Sequence, residues 1–155
     1  MNLVARFRRV FGPRTIQDPE FGELVYMHIR VAPERSYWEC EWLFPVTDTR
    51  VSISLPGNSD GPTEDARRFY RELPGQFPDH LGRARPEIER AFQRWIGRPV
   101  SGDLWKDLRL SGFGVEDPSQ TPTPWDMMFE TTGDKWLAIT IPFVGDRPQE
   151  AVVDT

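Results

Sequence analysis

The most constraining stretch runs through residues 22–55, where apolar side chains recur at every second position in three successive segments. Val25, Met27, Ile29 and Val31 alternate with Leu24, Tyr26, His28 and Arg30. Trp38, Cys40, Trp42 and Phe44 alternate with Tyr37, Glu39, Glu41 and Leu43, and Val51, Ile53 and Leu55 alternate with Ser52 and Ser54. A period of two marks a strand with one buried and one wet face, because successive side chains leave opposite sides of the pleat. The connections, residues 32–36 and 45–49, are short and turn-like. Three such segments in a row predict an antiparallel meander with one solvated face.

The middle of the chain changes to helical spacing. Pro62 suits a first helical position, and Glu64 and Asp65 suit the positive end of a helix dipole. Ala66, Phe69, Tyr70, Leu73 and Phe77 form one apolar stripe. Pro74-Gly75 predicts a break or sharp kink, since proline removes a backbone donor and crowds the preceding turn. Pro78 and Pro86 read as restarts. Ile88, Ala91, Phe92, Trp95 and Ile96 form a second stripe that ends at Gly97, a residue suited to a helix C-terminus.

Strand patterns then return. Leu108, Leu110 and Phe113 predict a short strand. Residues 125–131 and 135–143 flank Thr132-Gly133-Asp134, a three-residue hairpin signal. Leu137, Ile139, Ile141 and Phe143 fall on one side of the second arm, with Trp136, Ala138 and Thr140 on the other; a last strand is expected over residues 150–153. The expectation is an α+β fold, an antiparallel sheet of an N-terminal three-strand meander plus a C-terminal hairpin, packed on two or three helices. Residues 18–155 read as one domain. Residues 1–17 read as a basic amphipathic N-terminal arm, with Leu3, Phe7, Val10 and Phe11 on one side and Arg6, Arg8 and Arg9 on the rest. Docking of the arm on the domain is the favoured reading; a membrane surface or a partner is the alternative.

With 155 residues, including six Trp and ten Phe, the chain has enough large side chains for one core. A single cysteine, Cys40, allows neither an intrachain disulfide nor a cysteine-based zinc site, and its place between two tryptophans predicts a buried structural thiol. No apolar run is long enough for a membrane span and no secretory leader pattern is present, so a cytoplasmic location is expected. The net charge of −5 argues against a nucleic-acid partner and suits a basic protein partner.

Catalytic motifs are sparse. His28 and His80 are the only histidines, and neither has a nucleophile at hand in the local sequence. No spacing of His, Cys, Asp or Glu matches a metal site, so neither a metal nor a cofactor is expected. Gly112-Phe113-Gly114 lacks the third glycine and helix start of a phosphate loop. The helical arginines interleave with acids at three- and four-residue spacings, as on a solvated face. No catalytic residue is assigned.

The candidate binding surface is therefore the solvated sheet face, with Tyr26, His28, Arg30, Tyr37, Glu39, Glu41 and Trp136 as its candidate residues. Tyr, Trp and Arg are the types enriched at binding hot spots. An alternative is a small-molecule-binding protein or hydrolase using His28 with Glu39 or Glu41.

The run Asp18-Pro19-Glu20-Phe21-Gly22-Glu23-Leu24, the Trp-centred Tyr37-Trp38-Glu39, Val51-Ser52-Ile53-Ser54, and Asp60-Gly61-Pro62 before Phe69-Tyr70 follow one another in order. This order, over residues 18–77 and loosely the closing strands, resembles small uncharacterised bacterial domain families with relatives that accompany polymorphic toxins as immunity proteins. The resemblance implies a non-enzymatic binding domain of immunity or antitoxin type whose partner is a basic toxin or effector. It carries no catalytic residues.

Overall fold

The computed structural model describes residues 14–155. Ten strands form one mixed sheet: β1 (Thr15–Asp18), β2 (Gly22–Met27), β3 (Tyr37–Phe44), β4 (Thr49–Asn58), β5 (Gly61–Pro62), β6 (Leu108–Val115), β7 (Pro124–Thr131), β8 (Ala138–Val144), β9 (Arg147–Pro148) and β10 (Val152–Asp154). Their order is β1-β2-β3-β4-β6-β7-β8-β10, with β5 paired to β4 and β9 to β8. Every pairing is antiparallel except β4 with β6, which one helix, α1 (Glu64–Ile96), connects. Two antiparallel groups, β1 to β4 and β6-β7-β8-β10, are thus joined through a single parallel seam, where the sequence led us to expect a three-strand meander and a hairpin.

Among the described residues the expected two or three helices are one α-helix of 33 residues, and the purely antiparallel sheet is a mixed one. Pro74, Pro78 and Pro86 all lie inside α1 without ending it. Placed at about 100° per residue, these prolines, with Gly75 and Gly82, fall away from the buried stripe of Ala66, Tyr70, Leu73, Phe77, His80, Ala84, Ile88 and Ala91. The carbonyls freed by Pro78 and Pro86 belong to Pro74 and Gly82, outside the buried stripe, on the side where a helix curves most readily. The stripe keeps one phase through all three prolines, so burial against the sheet holds the helix together. Thr63, rather than Pro62, opens it: the Thr63 side chain accepts from the Ala66 N–H at 3.1 Å. Gly97 closes it at φ +86, donating its N–H to the Gln93 carbonyl.

The helix covers one face of the sheet. Trp38, Cys40, Trp42 and Phe44 of β3, with Val51, Ile53 and Leu55 of β4, are buried beneath it. Rings from three elements interlock: Phe44 meets Phe77 at 5.0 Å and Phe113 at 5.1 Å, both edge-on. Such pairs add about 0.5–1.5 kcal/mol each to the area they bury. Tyr70 is wholly buried, yet its hydroxyl donates to the Ser54 carbonyl at 2.8 Å, which pins the helix to β4. Burial pushes that phenol far above its ordinary range, so it remains a neutral donor.

One strand phase differs from expectation, and one strand carries a bulge. In β2 the inward residues are Leu24 and Tyr26, not Val25 and Met27: Tyr26 pairs with Trp38, and their rings lie 4.8 Å apart. Leu24, Val25, Tyr26 and Met27 are all able to face a core, and a slip of one residue exchanges the faces. The register is set upstream, where the Asp18 carboxylate accepts the N–H groups of Glu20 and Phe21 and meets Arg67 of the helix at 2.6 Å. This seats Phe21 against Trp42 and Tyr70. In β6 a bulge between Leu110 and Gly112 lets Leu108, Leu110, Phe113 and Val115 all face the helix. The connection of β7 to β8 is also wider than three residues, β8 beginning at Ala138.

Residues 15–17 of the expected N-terminal arm belong to β1; the amphipathic pattern of its first thirteen residues lies outside the described residues. Among the described residues no helix is long and apolar enough to cross a membrane.

Candidate functional site

The face of the sheet away from α1 is uncovered among the described residues, and its centre is hollow. Register brings Ser52 beside Gly112 and, one step along, Gly114 beside Asp126, so two glycines occupy the floor where side chains would stand. Gly112 must be glycine, because a side chain there meets backbone, whereas at 114 the Asp126 side chain would have to shift. A Cβ at position 112 would lie 2.5 Å from the Ser52 carbonyl oxygen, and one at 114 would lie 2.8 Å from Asp126 Oδ1.

Around this floor a cleft of about 930 Å³ opens between the 3-10 turn Pro33–Arg35 and the loop of Glu116, Asp117, Pro118 and Ser119. Tyr37 and Glu39 line it from β3, Ser52, Ser54 and Pro56 from β4, and Asp126 and Met128 from β7. Six of its lining residues are acidic (Glu34, Glu39, Asp65, Glu116, Asp117 and Asp126), and Arg35 alone is basic. Arg35 and Glu116 approach to 3.6 Å as an exposed ion pair linking the two sides.

Asp126 is the unusual group. Its Oδ1 is buried with no hydrogen-bond partner among the described residues. Burial pushes its carboxyl up to about 6; the nearby Gly114 N–H pulls slightly the other way without completing a bond to Oδ1, and Glu116 adds to the rise. An incoming guanidinium or ammonium would supply the missing donor. Tyr37 donates its hydroxyl to Glu39 at 3.2 Å, and burial, then the Glu39 charge, raise the phenol above its usual value.

The structure separates the residues singled out from the sequence. Tyr37 and Glu39 lie in the cleft. Glu41 sits next to it, in a shallow depression with Glu39, Arg50 and Ser52. Tyr26, expected on the solvated face, is on the helix side against Trp38. His28 is exposed beyond the end of β2, its Nδ1 3.5 Å from Ser36 Oγ, and Arg30 is exposed in the following turn; neither lines the cleft. Trp136 is 52% exposed at the opposite end of β7, beside Leu137.

His28 is therefore not brought together with Glu39 and Glu41 in one pocket. His80 is inside α1, its ring 4.9 Å from Trp125 and 5.6 Å from Phe143, and burial lowers its pKa. Cys40 is a free, buried thiol pushed up to about 12 by burial, which leaves it unreactive at neutral pH. Among the described residues no group of three or more His, Cys, Asp or Glu is placed to hold a metal ion.

Asp126 was not singled out from the sequence, and Gly112 and Gly114 were weighed only as a phosphate loop. Their signal is present: an acid inside the apolar run Trp125-Asp126-Met127-Met128-Phe129, and two glycines at a spacing of two, which share one strand face. No family model matches the chain, and neither curated proteins nor solved structures yield a match to it.

Proposed function

We propose that this protein is a non-enzymatic binding domain, of immunity or antitoxin type, that captures a basic segment of a protein partner in the cleft of its open sheet face. Asp126 carries the reading: a half-buried carboxylate, charged at neutral pH, whose Oδ1 lacks a donor among the described residues, on the floor of a cleft whose rim is acidic. An unpaired buried acceptor costs about 1–3 kcal/mol, which a basic ligand would recover on binding. The rim carboxylates would speed encounter with a cationic partner and make it salt-sensitive. The free thiol of Cys40 fits a reducing compartment such as the cytoplasm.

The volume also falls in the range of small-molecule pockets, which favours a small organic cation as a second reading. Fluorescence anisotropy with a labelled nona-arginine peptide separates the cases. Binding should weaken at least about tenfold in the double variant D126N/E39Q. No comparable change is expected in E150Q/D154N, whose acids lie outside the cleft. Equal loss in both variants would reduce the effect to overall charge and overturn the reading. Binding of arginine amide as tight as that of the peptide would favour the small cation.

A further inference from the structure

We propose that the end of the molecule built from Trp95, Trp105 and Trp136 docks on an anionic lipid surface. The inference does not depend on what the cleft binds, and three observations carry it.

The first is how the tryptophans divide. Trp38, Trp42 and Trp125 are buried in the core, whereas Trp95, Trp105 and Trp136 are 39%, 41% and 52% exposed. The exposed three come from separate places: the last turn of α1, the 3-10 turn Leu104–Lys106, and the connection of β7 to β8. Hydrogen bonds draw these places together. Lys135 donates from Nζ to the Trp95 carbonyl at 2.9 Å, with its amine 6.0 Å from the centre of that ring, and the Thr132 hydroxyl donates to the Lys106 carbonyl at 2.7 Å. An indole has an apolar body and one polar N–H, so it is best placed where hydrocarbon meets water, at the level of lipid headgroups.

The second is charge. Every exposed tryptophan has a cation beside it in the chain: Arg94 next to Trp95, Lys106 next to Trp105, and Lys135 next to Trp136. The buried three have none; their neighbours include Glu39, Glu41 and Asp126. Lys106 and Lys135 are also the only lysines of the chain. Arg85, Arg90 and Arg98 pair with Glu89, Glu87 and Asp107, whereas Arg94, Lys106 and Lys135 meet no carboxylate among the described residues. Of the acids close by, Asp107 is buried under Arg98 and Asp103 accepts the Trp105 N–H, which leaves Asp134 exposed.

The third is the polarity of the molecule. Leu108, paired with Thr131, lies at this end of β6, and Val115, paired with Trp125 beside Asp126, lies at the cleft end. The two are about 20 Å apart along the strand. A chain of net charge −5 thus keeps three unpaired cations at one end and its six cleft acids at the other. An anionic surface attracts the first and repels the second, so docking through the tryptophans leaves the cleft open to solvent. Each cation near such a surface strengthens binding about fivefold. Nucleic acid is the weaker fit, because its affinity rests on many phosphate contacts and three cations are few.

Co-sedimentation of the full chain with vesicles of equal parts phosphatidylglycerol and phosphatidylcholine tests this, at about 0.1 M salt so that surface charge is not exaggerated. The chain should sediment with these vesicles and stay in solution with phosphatidylcholine alone. K106Q/K135Q should bind at least about tenfold more weakly, and R68Q/R147Q, which removes the same charge from exposed positions elsewhere, should change binding less than about twofold. Phosphatidylglycerol with brominated tails should quench tryptophan emission of the unmodified chain, a readout that needs no variant to fold. Equal loss in the two double variants, equal binding to both vesicle types, or no quenching would overturn the proposal. Capture of a labelled oligothymidylate at lower protein concentration than vesicles would assign this end to nucleic acid and overturn it too. D126N/E39Q should bind vesicles without loss, so failure of the cleft reading and failure of this one are distinguishable.

Discussion

The two faces of the sheet differ in what they present, although each has one buried polar atom without a partner among the described residues, His80 Nδ1 beneath the helix and Asp126 Oδ1 on the open face. Beneath α1 the strands present Trp38, Phe44, Phe113 and Phe129, all fully buried, and the wholly buried Tyr70 hydroxyl has its acceptor. On the open face the same strands present Ser52, Ser54, Gly112, Gly114 and Asp126, and the carboxylate Oδ1 has no donor among the described residues. Two aspartates show the contrast. Asp107, near the C-terminal end of the helix, accepts from Arg98 at 2.7 Å and from the Ser101 N–H at 2.7 Å, which holds its carboxyl far below the usual range. Asp126 is raised instead. Asp107 is surrounded by donors, whereas Asp126 Oδ1 is left short of one among the described residues.

The largest expected effect belongs to the covered face. Phe113→Ala should lower unfolding free energy by about 3–5 kcal/mol in urea titration, because it empties the space shared with Phe44 and Phe77. A loss under about 1 kcal/mol would show that this core is not the tightly packed face described. Gly112→Ala comes next, with a cost of about 1–3 kcal/mol, since the added methyl meets a backbone oxygen that has little room to move. Circular dichroism on heating measures it, and an unchanged midpoint would mean that the floor is not closed at this point.

Asp126→Asn should act in the opposite direction and stabilise the protein by about 1–2 kcal/mol at pH 7, allowing for the partial exposure of the carboxyl. The group's folded pKa, about 6, lies above its unfolded value, so its contribution is fully present below about pH 4 and is lost as pH rises through 6. The advantage of the asparagine should therefore vanish in acid. Stability of the two proteins measured from about pH 4 to about pH 7 checks this, and a variant less stable than the parent at the upper end would contradict it.

The smallest effect concerns His80, whose folded pKa is lowered by burial against Trp125 and Phe143. The unfolded chain takes up the proton first, so stability should decline as pH falls below about 6.5. The decline is clearest in the D126N background, and His80→Phe should remove it. A pH-independent D126N protein would contradict the assignment.

Much of the covered face was legible in the sequence. The alternation through β3 and β4 has one apolar and one polar set, so only one register buries the aromatics. The β2 phase was not legible, because Leu24 to Met27 offers apolar residues to both faces and an upstream turn decides between them. The single helix was hidden by local rules: each proline predicts a stop, and only the unbroken phase of the stripe from Ala66 to Ala91 shows that packing overrides it. The cleft was half visible. Tyr37 and Glu39 follow from alternation, whereas the floor depends on the parallel pairing of β4 with β6, a long-range event that places Gly112 beside Ser52.

The central claim is the proposal that a cationic ligand supplies the donor that Asp126 Oδ1 lacks among the described residues. NMR titration of the Asp126 side chain in the full protein, alone and with saturating nona-arginine peptide, tests it most directly. The expected result is a midpoint near 6 for the protein alone and a clear fall when the peptide is bound. A midpoint at the ordinary aspartate value of about 3.9 in the free protein, unmoved by peptide, would contradict it.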